Sequence, residues 1–245
     1  MSASDVAVAR AAAEAGAAVI RELYGRPVER FAKSTTDFAT RADLDAERAI
    51  LDVLRSARPE DAVLGEETGL TGVDTGRAWL VDPLCGTKNF AAATPLMAVN
   101  VALRTPDGIV AAAVADPVAG EVFATDDVLA PSTASGLVDV DLDHRDFGPL
   151  LSSPDFRARF GARVTSTSLA LAWVAVGRRA AYVADGDMRD NEHFSAGIAL
   201  CRAAGCHVSA LDGTDVGAGR GVLAAGDAVT HRVLLGLIGD LRPVV

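Results

Sequence analysis

The sequence predicts a mixed α/β fold built as two halves, on three observations. Helix-period and strand-period segments alternate along the chain, with no internal repeat and no long linker. Half of the 245 residues are apolar, enough for a sizeable core and too many for a disordered chain. The stretch Trp79-Leu80-Val81-Asp82-Pro83-Leu84-Cys85-Gly86-Thr87-Lys88-Asn89-Phe90 reads as a buried strand that stops at Asp82-Pro83, delivers a carboxylate at its carboxyl end and turns into a short helix. In open α/β sheets ligands bind at that end of a strand. Gly86 lets backbone N–H groups approach an anion, and a helix N-terminus favours negative charge. A carboxylate able to hold a metal therefore lies beside a cradle able to hold a phosphate.

Each element follows from its own pattern. Ser4 to Tyr24 reads as a helix, with Val6, Ala13, Ile20 and Leu23 as its apolar stripe and Gly25 and Pro27 ending it. Asp5, Arg10, Glu14, Arg21 and Glu22 make this an amphipathic helix rather than a signal peptide. Glu29 to Asp37, with Lys33, is a polar loop or hairpin and a candidate mobile flap. Thr40 opens a second helix to about Arg58, with Ala46, Ile50 and Leu54 inward, and Thr40 and Asp43 are spaced as a capping box. Ala62 to Glu67 is a short strand ending in the paired carboxylates Glu66 and Glu67, which alone would mark only a solvated loop. Met97 to Arg104, Gly108 to Asp116 and Gly120 to Thr125 are β-rich runs separated by turn signals, an antiparallel meander.

Leu129 to Leu151 opens as a loop, and Val138 to Asp143 alternates like an edge strand with charged outer positions. This segment marks the junction between a first half over 1–130 and a second over 150–245. A helix is expected from Thr165 to Val176, a strand over Ala180 to Ala184 and an acidic loop over Asp185 to Asn191. A helix from Phe194 to Ala204 ends at Gly205. Strands at His207 to Leu211 and Gly221 to Ala225 precede a terminal helix from Val229 to Leu241, with Val233, Leu234, Leu237 and Ile238 inward. The two halves are expected to share one cleft.

Composition narrows the function. A net charge of −10 argues against nucleic acid as a partner. It leaves room for a phosphorylated small molecule, because divalent cations invert the local sign. No apolar run reaches the roughly 18 residues of a membrane span, so no membrane partner and a cytoplasmic location are expected. Three cysteines are no disulfide framework, and Cys201 and Cys206 read as core filler. Gly217-Ala218-Gly219-Arg220-Gly221 precedes a strand, so it is a loop and not a dinucleotide motif. No serine nucleophile elbow is present. Cys85 lacks the arginine of a cysteine-phosphatase loop, since position 91 is Ala.

Two segments carry a resemblance. Gly65-Glu66-Glu67 followed by Asp82 to Phe90 resembles the Gly-Glu-Glu and Asp-Pro-x-Asp-Gly-Thr-x-Asn-Phe signatures of the inositol monophosphatase family, and the likeness extends over nearly the whole chain. It implies a layered αβαβα sandwich, a homodimer, and hydrolysis of a small inositol, sugar or nucleotide phosphate monoester by metal-activated water. It implies a first Mg²⁺ held by Glu66, Asp82, the Leu84 carbonyl and Thr87. Asp43 and Thr87 would orient the water, and the backbone N–H groups of Gly86 and Thr87 would hold phosphate oxygens. Lys33 and Glu67 would assist. Substrate choice would lie around Ser166, Ser168 and Asp185.

The chain departs from the family pattern at the second metal. Cys85 stands where the signature has its second Asp. Glu192-His193-Phe194-Ser195-Ala196-Gly197 aligns with the family's Trp-Asp-x-Ala-Ala-Gly helix start, which puts His193 at the third Asp; Asp185, Asp187 or Asp190 is the alternative occupant. Asp82, Cys85 and His193 then form a ligand set suited to Zn²⁺ or another transition metal rather than Mg²⁺. Three readings stand. The chain is a hydrolase with an altered or single metal site; or Cys85 is a catalytic thiolate, its pKa lowered by a helix N-terminus and His193; or the chain binds a phosphorylated ligand without turnover. Singly, a cysteine is most often a small buried hydrophobe and a histidine a surface or helix-start residue.

Overall fold

The structure is a computed structural model describing residues 3–73, 75–143 and 145–240. The chain forms two compact units. One runs to Asp127 and takes in Thr167–Leu169 and Asp190–Ala199; the other comprises the remaining residues from Val128 onward.

In the first unit, helix α1 (Asp5–Leu23) starts where the Ser4 hydroxyl accepts the Ala7 N–H. Strands β1 (Arg30–Ala32) and β2 (Phe38–Thr40) form an antiparallel hairpin with Lys33 in its turn. Helix α2 (Arg41–Ala57) follows at once, capped by Thr40 and Asp43 in a complete capping box. Six strands then form one sheet: β3 (Ala62–Gly65), β4 (Gly69–Thr71), β5 (Ala78–Cys85), β6 (Ala98–Thr105), β7 (Gly108–Asp116) and β8 (Glu121–Ala124). Their order is β4-β3-β5-β6-β7-β8. Among the described residues of this sheet only β3 and β5 pair in parallel, and β6 to β8 are the meander expected from the turns. Both helices bury their apolar stripes on one sheet face, where Ile20, Ile50 and Leu54 meet Trp79, Val99 and Val101. Each fully buried aliphatic side chain contributes roughly 1.5–3 kcal/mol.

The strand at the centre of the argument does not stop at Asp82. Strand β5 continues through Pro83 to Cys85, but its register slips: Asp82 faces Asn100 and Cys85 faces Ala98, three steps on β5 against two on β6. Pro83, with no N–H to give, falls in this irregularity, where the ladder is interrupted. Helix α3 (Thr87–Ala91) then begins directly after Gly86.

The second unit holds a sheet of order β10-β9-β11-β13-β12, made of β9 (Leu137–Val140), β10 (Gly161–Val164), β11 (Ala181–Ala184), β12 (His207–Ser209) and β13 (Val222–Ala225). Helices α4 (Gly148–Ser152), α5 (Pro154–Arg157) and α8 (Ala228–Gly239) supply Leu150, Phe156, Leu234 and Ile238 to its core. The expected final residue of α8, Leu241, lies outside the described residues. Helices α6 (Leu169–Ala175) and α7 (Ser195–Ala203) complete the chain.

Two expectations are corrected here. The segment read as an edge strand is interior: β9 lies between β10 and β11. Its Asp139 does not point to water but is buried, ion-paired to Arg179 and hydrogen-bonded by the Thr165 hydroxyl. A charge alternation marks a solvated face only when no partner waits inside, and Arg179 is that partner. The helix expected from Thr165 begins at Leu169, and Gly161–Val164 ahead of it is strand β10. Its Gly-Ala-Arg-Val sequence has too little alternation to announce a strand. Among the described residues no helix is long and apolar enough to cross a membrane.

Candidate active site

The site is built on Asp82, buried at the bulge in β5 and flanked by two unlike groups of side chains. On one side the donors are oxygens. Asp43, in the first turn of α2, uses Oδ2 to accept the backbone N–H of Thr40 at 2.7 Å and its hydroxyl at 2.6 Å. Its Oδ1 accepts the Thr87 hydroxyl at 2.9 Å, and that hydroxyl also lies 3.2 Å from the Leu84 carbonyl. One carboxylate thus caps the helix and fixes Thr87. Burial pushes the Asp43 carboxyl up, against the pull of the Thr40 and Thr87 hydrogen bonds.

Glu66 and Glu67 follow β3. Lys33 reaches both, with Nζ 2.8 Å from Glu66 Oε1 and 2.7 Å from Glu67 Oε1. Burial alone would lower the lysine, but these two carboxylates outweigh it and hold its pKa above the ordinary value. Glu66 is pushed up to about 8 by burial and then by the neighbouring Asp82 carboxylate, with His193 and Lys33 opposing. Burial likewise raises Glu67.

On the other side of Asp82 the donors are mixed. His193 Nδ1 lies 2.7 Å from Asp82 Oδ2. Burial opposes the imidazolium, but the hydrogen bond and charge of Asp82, with Glu66 behind it, raise His193 to about 9. Cys85 Sγ accepts the Ser168 N–H at 3.3 Å, and the Cys85 carbonyl accepts the Thr167 hydroxyl at 3.1 Å. Asn100, facing Asp82 across the ladder, donates Nδ2 to Ser168 Oγ at 2.8 Å. Asn100 is wholly buried, yet its Oδ1 has no partner among the described residues. Such an orphan costs about 1–3 kcal/mol.

In the metal-free protein this environment opposes an activated thiolate at Cys85. Burial and then the Asp82 carboxylate push the thiol well above its usual range, outweighing the Ser168 N–H.

Both donor sets suit cations. Glu66, Asp82, the Leu84 carbonyl and Thr87 offer only oxygen, the donor class of Mg²⁺. The crowding of Glu66 against Asp82 is the electrostatic deficit that a divalent ion relieves. Asp82, Cys85 and His193 offer one oxygen, one sulfur and one nitrogen, all within 4.8 Å of one another, a set fitted to Zn²⁺ or a similar ion.

Two glycines are required by geometry. A Cβ on Gly65 would stand 2.6 Å from Glu47 Oε1, and one on Gly86 would meet the Leu96 carbonyl at 2.8 Å at a φ of +115°. The Gly65 contact exposes a residue that sequence reasoning missed. Glu47 is buried one turn after Asp43, and its carboxylate accepts the N–H groups of Glu67 and Thr68 at 2.8 and 2.9 Å. The available signal was an acidic residue at i+4 from Asp43 on the helix's buried stripe.

The other expected residues are placed as follows. Asp190, an alternative to His193, pairs with Arg104 at 3.1 Å, and Asp185 pairs with Arg220 at 2.6 Å. Asp187 caps its own loop at the Arg189 N–H. Ser168 is buried beneath Cys85, its hydroxyl occupied by Asn100. Ser166 and Asp185 belong to the second unit, where the Ser166 hydroxyl donates to Asp143 at 2.6 Å.

Comparison with known proteins adds to this geometry. A sequence model of the inositol monophosphatase family matches residues 2–129. An inositol-1-monophosphatase of Mesorhizobium japonicum is 33% identical over 223 residues, covering 83% of each chain. One from Caulobacter vibrioides is 30% identical over 226 residues, 82% of this chain and 88% of that one. The crystal structure of extragenic suppressor protein suhB from Bartonella henselae superposes with a TM-score of 0.85 at 26% identity, over 96% of this chain and 98% of that chain.

Proposed function

Because the chain belongs to the inositol monophosphatase family, we propose that it hydrolyses a small phosphate monoester of an inositol, sugar or nucleotide in a divalent-metal-dependent reaction. The observation that carries this reading is the fixed Thr87 hydroxyl, aimed at Asp43 beside the all-oxygen set of Glu66, Asp82 and the Leu84 carbonyl. Mg²⁺ bound by those groups and Thr87 would lower the pKa of a water and offset phosphate charge. Thr87 orients the attacking water: with its own proton directed at Asp43, its oxygen is free to accept the water's O–H. Asp43 acts through Thr87 and is a positioning residue. The N–H groups of Gly86 and Thr87 hold phosphate oxygens, and Lys33 adds positive charge while restraining Glu66 and Glu67. Asp82, Cys85 and His193 replace the second Mg²⁺ site with one for Zn²⁺ or another transition ion. Ser166 and Asp185 serve substrate choice.

A second reading has its own observation. Lys33 and His193 already place cationic groups on Glu66, Glu67 and Asp82, which is how a non-catalytic binder of phosphorylated ligands would neutralise itself. The deciding experiment adds Mg²⁺, Mn²⁺ or Zn²⁺ singly to chelator-treated protein and measures phosphate release from inositol, sugar and nucleotide monophosphates. Turnover lost in Thr87→Val is the expected result. Calorimetric binding of a monophosphate with no release under any ion would overturn it in favour of the binder.

A further inference from the structure

We infer that Asn100 supplies, through Oδ1, a fourth ligand to the transition-metal site of Asp82, Cys85 and His193. The inference rests on the proposed reading of those three residues as such a site. Three observations converge on Asn100. It faces Asp82 directly across the β5–β6 ladder, so both side chains leave the same face of the sheet, and on that face Asp82 meets His193. Its Nδ2 is committed to Ser168 Oγ, and the N–H of the same Ser168 lies 3.3 Å from Cys85 Sγ. Ser168 thus links the amide to Cys85, as the ladder links it to Asp82. Its Oδ1 is wholly buried and has no hydrogen-bond partner among the described residues. A buried acceptor without a protein donor takes a water or a cation, and the metal-ligating groups linked to Asn100 favour the cation.

The count fits as well. Asp82, Cys85 and His193 present three donors, whereas borderline divalent ions favour four in a tetrahedron. A neutral amide oxygen completes that number without extra charge. Thiolate and carboxylate together already match a 2+ ion.

Co²⁺ is the probe, because thiolate-to-cobalt charge transfer in the near ultraviolet reports Cys85, and the visible d–d bands report coordination number. The full-length metal-free protein is titrated as wild type, Asn100→Ala, Asn100→Asp and Ser168→Ala. The expected result is a four-coordinate spectrum in the wild type. Asn100→Ala should keep the charge-transfer band, bind at least about tenfold more weakly and show altered d–d bands. Asn100→Asp, which retains an oxygen and guards against a folding defect in the alanine variant, should restore tight binding. Ser168→Ala removes the anchor of Nδ2 but keeps Oδ1 and the backbone N–H to Cys85, so it should weaken Co²⁺ binding less than Asn100→Ala and keep the four-coordinate d–d bands. Asn100→Ala matching the wild type in affinity and d–d bands would overturn the inference alone. So would Ser168→Ala reproducing the Asn100→Ala change, which would make Asn100 a mere support for Ser168. A wild type without the charge-transfer band would overturn the three-residue reading itself, and this inference with it.

Discussion

The two sides of Asp82 differ in how their donors are held. On the oxygen side, side chains also satisfy backbone groups: Asp43 caps α2 at Thr40, and Glu47 takes the N–H groups that follow β3. These carboxylates belong to the folding of their own segments, so their places are over-determined. On the mixed side, Cys85 and His193 are brought together by contacts across long sequence separations, from Thr167 and Ser168 to Cys85 and from His193 to Asp82. Donors of the first kind are fixed by their own segments, whereas donors of the second depend on the tertiary fold.

The sharpest way to break the comparison is to remove what both sides share. Asp82→Asn keeps size and the 2.7 Å reach to His193 but deletes the charge common to both donor sets. Hydrolysis should fall at least about 10³-fold, roughly 4 kcal/mol in transition-state stabilisation, under every metal. A loss confined to one metal would show that the two sides do not share this carboxylate. Steady-state kcat/KM with each ion decides between them.

The same contrast explains what the sequence made legible. The helices α1 and α2, the β6–β8 meander and the oxygen donors announced themselves, because local period, caps and turns dictate them. Asp43 was readable both as a cap and as the partner of Thr87, and it is bonded to both threonines. The interior place of β9 was hidden because Arg179, forty residues on, neutralises Asp139. Asn100 was hidden inside an apolar run, where only the ladder register sets it opposite Asp82. Glu47 was hidden because nothing local says that a helical glutamate will meet a glycine backbone in the next strand. Long-range polar pairing is what the one-dimensional pattern does not encode.

Exchanging the mixed side for oxygen would sharpen the comparison next. Cys85→Asp with His193→Asp should lower Zn²⁺ or Co²⁺ affinity by about 100-fold and raise Mg²⁺-supported hydrolysis about tenfold, by substituting hard donors for soft ones. Metal titrations on both proteins check this. An unchanged metal ranking would mean that Cys85 and His193 do not set it.

The over-determination of the oxygen side is tested through stability. Gly65→Ala drives a Cβ to 2.6 Å from the buried Glu47 carboxylate, and should destabilise by about 1–3 kcal/mol. Glu47→Gln replaces the charged acceptor of two N–H groups and should cost about 1–2 kcal/mol. Urea midpoints measure both. Wild-type midpoints in the two variants would remove the case that Glu47 braces this side.

The smallest expected effect separates the sides by pH. In the metal-free protein His193 is raised from 6.5 to about 9, so its pairing with Asp82 stabilises the fold fully below pH 6.5 and is lost as pH rises through 9. Glu66 is raised from 4.5 to about 8, so the fold favours its protonated form, and stability again falls as pH climbs from 4.5 through 8. Both slopes have the same sign because both express a shortage of positive charge around Asp82. His193 is about a third exposed and the two groups share their interaction, so the combined loss is about 1–2 kcal/mol. For a chain of this size that is about 3–6 °C in Tm between pH 5 and 9. His193→Gln should abolish the loss between about pH 8 and 9, which belongs to the imidazolium alone, and leave the loss between 4.5 and 6.5, which belongs to Glu66. Excess Mg²⁺ should flatten the lower portion first, because its donors are the oxygens. If melting curves of wild type and His193→Gln fall in parallel across the whole range, the imidazolium contributes nothing to Asp82, and the two sides do not differ electrostatically as argued.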